Sequence, residues 1–146
     1  MDSIDQALLA ALSENSSSPT TLLAKKLGLA RSTVQSRIER LESNGVIDGY
    51  TIKLGPGFDP GRIRATVLVK VEPKSSLQVV QKLREIAQVE KANTTSGQYD
   101  LVLIVAAPTP SELDGVLDKI GVVEGVTDME SLIHLSTKFD RMARVG

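Results

Sequence analysis

The sequence predicts an α+β chain in two parts, an N-terminal winged helix-turn-helix followed by a C-terminal ferredoxin-like βαββαβ unit. Three observations lead there. Before Asn44 the apolar side chains recur at helical spacing in three short runs; after Ile63, β-branched strands alternate with helical runs. Between them, Gly55-Pro56-Gly57-Phe58-Asp59-Pro60-Gly61 packs three glycines and two prolines into seven residues, the composition of a linker. The expected division is therefore 1–54, a linker at 55–62, and 63–146.

In chain order, Ile4, Ala7, Leu8, Ala11 and Leu12 trace one face of a first helix. Ser16-Ser17-Ser18 interrupts it. Ser18 then reads as a cap and Pro19 as the first residue of a second helix, which buries Leu23, Ala24 and Leu27 and stops at Gly28, a natural left-handed position. A third helix carries Val34, Ile38 and Leu41 inward and ends at Asn44-Gly45. The short turn through Gly28-Leu29 gives helices two and three the spacing of a helix-turn-helix, whose second helix lies in a major groove. Val46-Ile47 and Tyr50-Thr51-Ile52-Lys53-Leu54, joined by Asp48-Gly49, read as a small β wing.

The second half repeats itself. Leu83, Ile86, Val89 and Glu90 recur as Leu117, Ile120, Val123 and Glu124, a constant offset of 34. Each copy follows a proline–serine start (Pro73 to Ser76, Pro108 to Ser111) and, before that, a strand (Ala65 to Val71, Leu101 to Ala107). The first of these helices is expected to bury Leu77, Val80, Leu83 and Ala87. The second, capped by Ser111, is expected to bury Leu113, Val116, Leu117 and Ile120. Two strand–helix–strand units in series form βαββαβ, with helices on one sheet face only. Val67, Val69 and Val71 point to one side of the sheet and Leu68 to the other. Leu68 and the doubly apolar run Leu101 to Val105 leave the other face apolar too, and a second copy of the same sheet is its simplest partner.

Composition narrows the function. The chain has 146 residues, no cysteine and one histidine, so disulfides, thiolate metal sites and paired imidazoles are excluded, and a reducing cytosol is compatible. The longest apolar run, Leu101 to Ala107, is far short of the roughly 20 residues that span a bilayer, and Met1-Asp2-Ser3 does not begin a secretory signal. Net charge is −1, yet residues 20–55 hold six basic side chains (Lys25, Lys26, Arg31, Arg37, Arg40, Lys53) against Glu39, Glu42 and Asp48. A segment at +3 within an acidic remainder points to an anionic partner for that segment alone. With no serine–histidine–acid choice, no histidine pair and no lysine-bearing phosphate loop, an enzyme is not expected, and neither a metal nor a cofactor is implied.

The third helix turns Ser32, Ser36, Glu39 and Ser43 outward, flanked by Thr33, Gln35 and Arg40. Hydroxyls and backbone N–H groups at its N-terminal end suit a phosphate, and Gln35 suits an adenine edge. Arg31, Arg37 and Arg40 supply phosphate-directed charge; Arg37 lies nearer the buried side, where an internal ion pair is the competing reading.

The run Leu23-Ala24-Lys25-Lys26-Leu27-Gly28-Leu29, then Ser32-Thr33-Val34, Arg37-Ile38, Leu41-Glu42, Gly45-Val46-Ile47 and Tyr50, resembles the DNA-binding domain of the Lrp/AsnC feast–famine transcriptional regulators. The βαββαβ half, with Gly97-Gln98-Tyr99-Asp100 between its central strands, resembles that family's amino-acid-sensing domain. The resemblance extends from about Ser3 to Phe139. It implies a cytoplasmic, sequence-specific double-stranded-DNA-binding regulator that dimerises through its sheets, builds tetramers or octamers, and responds to an amino acid held where subunits meet. Three positions depart from the family: Ala30 where a serine caps the third helix, Ser17 where an arginine is usual, and Gln98 where an acid is common.

At the turn, Gly97 permits positive φ, Asp100 suits an α-ammonium, and loop N–H groups suit an α-carboxylate. The competing reading is an ordinary hairpin turn with Tyr99 packed at an interface. Ser131 matches a hydroxyl position of the family's last strand and joins Gly97, Gln98, Tyr99 and Asp100 as an effector-contact expectation. His134 reads as a strand residue at an interface, and Asp128 and Glu130 as a solvated edge. An architectural DNA-binding protein without an effector is the alternative.

Overall fold

The computed structural model describes residues 1–54, 57–58 and 61–141. Four residues of the expected linker (Gly55, Pro56, Asp59, Pro60) and the last five of the chain lie outside the described residues. The chain divides after Leu54 into two compact units, with Phe139 to Arg141 grouping with the first.

The first unit holds α1 (Ser3–Glu14), α2 (Thr20–Leu27) and α3 (Arg31–Ser43). Leu8, Ala11, Leu12, Leu23, Ala24, Val34 and Leu41 form its core, with Leu9, Leu27, Leu29, Ile38 and Ile47 against it. Asp2 caps α1: its carboxylate accepts from the Asp5 N–H at 2.9 Å. Asp5 is buried where the spacing suggested Ala7, which is exposed. At α2 the cap is Pro19 rather than Ser18, one residue later than expected, and the helix ends at left-handed Gly28 (φ 67°). Ala30 precedes α3 without any side-chain cap bond.

The wing does not form. Val46 to Leu54 contain no strand. The cause is the way α3 closes: with Gly45 at φ 75°, Gly45 N–H reaches the Glu42 carbonyl at 3.1 Å and Val46 N–H reaches that of Leu41 at 2.9 Å. This is a Schellman closure, and Ile47 N–H joins it at 3.0 Å on Leu41. The donors expected to begin a strand are spent on the helix end, and a lone two-stranded hairpin is marginal in water.

The second unit is the expected βαββαβ. Strands β1 (Ile63–Val71), β2 (Val89–Thr94), β3 (Leu101–Ala107) and β4 (Val126–Ile133) form one antiparallel sheet in the order β2-β3-β1-β4. Helices α4 (Ser76–Arg84) and α5 (Pro110–Gly121) cover the face made by Ala65, Val67, Val69, Val71, Leu101, Leu103 and Val105. Thr66, Leu68, Lys70, Val102 and Ile104 are half-buried on the other face. The phase of α4 differs from expectation: Val79 and Leu83 are buried while Leu77 is 77% exposed and Ala87 is exposed. A 3₁₀ turn at Pro73–Ser75 feeds the helix and advances its inward stripe. The cap of α5 is Thr109, accepting from Glu112 N–H at 3.1 Å, with Pro110 and Ser111 already helical. Among the described residues no helix is long and apolar enough to cross a membrane.

Candidate nucleic-acid interface and effector turn

The face of α3 opposite the core presents Arg31, Ser32, Gln35, Ser36 and Arg40, all exposed, with Thr33 half-buried beside them. Gln35 lies within 3.4 Å of Glu39, a long contact that leaves its amide available to a base. With no side-chain cap at Ala30, the first N–H groups of α3 stay open to an anion.

Arg37 is not part of that face. Its Nη1 donates to both carboxylate oxygens of Asp2, at 2.9 and 2.8 Å, and to Oδ1 of Asp5 at 2.9 Å. The internal ion pair is therefore present, and it engages the guanidinium that a phosphate contact would need free. Asp5 is 3% exposed at its side chain and Arg37 21%, so the pair sits at the edge of the helical core. Arg40 reaches the second oxygen of Asp5 at 3.3 Å while remaining 56% exposed, and so stands between the cluster and the solvent. The Arg37 guanidinium holds the carboxyls of Asp2 and Asp5 below the usual carboxylate range, and the two carboxylates raise Arg37 in turn. The acidic half of this cluster escaped the sequence reading. Its signal was the i, i+3 pair Asp2 and Asp5 at a helix start, facing an arginine on the buried side of another helix.

Between β2 and β3, Gly97 adopts φ 119°, a conformation that favours glycine. Gly97 and Gln98 are exposed. Asp100 serves the fold: its Oδ2 accepts from Val71 N–H at 2.8 Å, and its own N–H reaches the Val69 carbonyl at 2.9 Å. The ammonium contact expected of Asp100 thus competes with a backbone bond that locks the turn to β1. Thr95 closes the other end, its hydroxyl donating to the Tyr99 carbonyl at 2.8 Å.

Tyr99 leans over the open sheet face, with its hydroxyl donating to Glu130 at 3.1 Å and the Lys70 ammonium 5.7 Å from its ring. Burial raises the Tyr99 phenol above its ordinary value, and Glu130 adds to the shift. Glu130 pairs in register with Leu68 and Ser131 with Val67, so Ser131 projects to the helix-covered side, away from Tyr99. The structure does not bring Ser131 to the turn. Glu130, expected as a solvated edge residue, is the acid that meets Tyr99. His134 lies just beyond β4 and bonds Thr66 at 2.7 Å.

Both units of the chain resemble known proteins. Residues 1–42 match the AsnC-type helix-turn-helix domain and residues 64–143 the Lrp/AsnC ligand binding domain. The chain is 32% identical over 135 residues to the HTH-type transcriptional regulator FL11 of Pyrococcus furiosus, covering 92% of this chain and 89% of that one. It is 31% identical over 140 residues to the regulator LysM of Saccharolobus solfataricus, covering 95% and 96%. Among solved structures, the feast or famine regulatory protein of M. tuberculosis complexed with L-methionine superposes with a TM-score of 0.87 at 29% identity, covering 99% of each chain. E. coli AsnC superposes with the same score, 0.87, at 25% identity, covering 98% of this chain and 97% of that one.

Proposed function

The chain belongs to the Lrp/AsnC family of transcriptional regulators, and from that premise we propose how it binds DNA and senses its effector. It is a transcriptional regulator with a DNA-binding helix-turn-helix and a ligand-binding domain, not an enzyme. In our reading the DNA contact is made by Arg31, Ser32, Thr33, Gln35 and Ser36 at the N-terminal end of α3, with Arg40 as the flanking cation. The observation that carries this is the uncapped start of α3 beside an exposed polar face whose interior side is fully engaged in core and ion pairs.

The effector is an amino acid, held at the turn Gly97 to Asp100. The methionine-bound M. tuberculosis relative supports that class. Tyr99, with Lys70 and Glu130 beside it, offers an apolar ring flanked by both charges that a zwitterion requires. Asp100 supports the turn from behind. The alternative without an effector gains no support.

The open face of the sheet is the self-association surface. A homodimer formed there sets two α3 helices on half-sites about one helical turn, roughly 34 Å, apart; tetramers or octamers of such dimers are the larger assemblies. The site of action is the cytoplasm. Effector binding shifts the balance among assemblies only if it favours one of them. The test is a thermal-shift screen of the full chain against the twenty amino acids. A true effector at about 100 times its dissociation constant stabilises by roughly 2.7 kcal/mol. A flat response to all twenty sinks the effector half of this reading.

A further inference from the structure

Resting on the reading that α3 meets DNA, we propose that Arg37 is a positioning residue of that interface, gripped by Asp2 and Asp5 so that the start of α1 sets the rotation of α3. Arg37 lies three residues after Val34 and four before Leu41, on the stripe that those two core residues occupy. From there a single nitrogen engages three carboxylate oxygens, all within 2.9 Å, across 35 and 32 residues of chain.

The grip is doubled by the cap. Asp2 Oδ1 accepts from Arg37 and also from the N–H of Asp5, so the group that starts α1 is the group that holds α3. Turning Arg37 outward to a phosphate would break all three bonds and leave buried Asp5 with Arg40 alone at 3.3 Å. An underpaired buried carboxylate costs more than one exposed phosphate contact returns. The positive charge of Arg37 is spent inside the protein, and its effect on DNA passes through the pose of Ser32, Gln35 and Ser36.

Asp2→Asn tests this with opposite signs for the two accounts. Asparagine caps a helix as well as aspartate does, so α1 keeps its start while the grip loses its charge. Asp2 is half exposed, which makes the variant tolerable to the fold. If Arg37 acts by charge, removing the acid frees it toward the duplex; binding tightens and the log–log salt slope steepens by about 0.9 for each phosphate gained. If Arg37 positions α3, binding weakens by about three- to tenfold, the worth of one ordinary net hydrogen bond, and the slope stays that of the wild type.

The probe is a duplex enriched by the wild-type full chain from a random-sequence pool, titrated with salt by fluorescence anisotropy, with thermal unfolding confirming that each variant is folded at the assay temperature. Arg37→Gln also weakens binding at unchanged slope, and Arg37→Lys recovers part of the loss. An Asp2→Asn protein that binds as well as or better than wild type overturns the proposal. So does an Arg37→Gln protein whose slope falls by about one. A wild-type chain that binds no duplex with salt dependence fails at the earlier step, the reading of α3, and takes this proposal with it.

Discussion

Replacing Gly125 with alanine destabilises the sheet unit, and the structure supplies the magnitude. Gly125 sits in the turn from α5 to β4 at φ 102°, outside the conformations an L side chain readily adopts. A Cβ built there lies 2.5 Å from the Ser75 Cβ and 2.9 Å from Cγ2 of Val79, which is fully buried and cannot retreat. Nor can the backbone slide away, because the Gly125 carbonyl accepts from Glu72 N–H at 2.8 Å. Backbone strain of about 1–3 kcal/mol adds to an overpacking cost of about 1–3 kcal/mol. For a unit of this size, even the low end of about 2 kcal/mol lowers the melting temperature by roughly 8 °C or more. Gly115→Ala, in the middle of α5, is the matched control. Its Cβ meets nothing within 4 Å, so the substitution stabilises by about 0.5–1 kcal/mol through helix propensity and the unfolded chain. Differential scanning calorimetry at fixed protein concentration reads both. Gly125→Ala melting within about 2 °C of wild type, less than 1 kcal/mol would produce, refutes the packing described for the β4 entry.

Three further outcomes follow from the cited contacts. Asp2 and Asp5 have depressed folded-state pKa values, so their contribution is complete above the ordinary carboxylate value of about 3.9 and is lost as pH falls through the lower folded values. Helix circular dichroism in acid titrations then shows Arg37→Gln unfolding at higher pH than wild type; coincident curves contradict the ion cluster. Val34→Ala removes two methyls from a fully buried site in a small core, costs about 2 kcal/mol, and abolishes DNA binding at temperatures where the sheet unit still persists. Tyr99→Phe deletes the bond to Glu130 with little change in stability, because that bond lies at the surface, yet reduces the amino-acid-induced thermal shift; an unchanged shift places the effector elsewhere.

The elements that sequence reasoning located are those specified by local chemistry. Left-handed Gly28 and Gly45 end α2 and α3 where expected, because a positive φ is written into the residue type. The alternation of Val67, Val69 and Val71 is likewise a property of one strand, and it put the three on one sheet face, the one the helices cover. What escaped depends on partners distant in sequence or on competition between neighbours. Val46 and Ile47 have strand residues' side chains but donate to Leu41, and the helix end takes them first. Leu77 and Leu83 share an apolar character, and the phase of α4 after its 3₁₀ entry turns Leu83 inward and leaves Leu77 exposed. Asp100 carries the right group for an ammonium, and its use by Val71 N–H appears only once β1 lies beside it. The exposed polar face of α3 was legible from its spacing. So was the place of Arg37 near its buried side; the partners it finds there, Asp2 and Asp5, were not, being more than thirty residues away.

In the reading proposed above, α3 lays its N-terminal half on duplex DNA through Arg31 and the hydroxyl and amide side chains beside it. Salt titration of binding, wild type against Arg31→Ala, measures this most directly. The expected result is a straight log–log dependence whose slope drops by about 0.9 in Arg31→Ala, with the wild type preferring its enriched duplex over random sequence. Binding that ignores salt, or an Arg31→Ala protein indistinguishable from wild type in both slope and affinity, contradicts it.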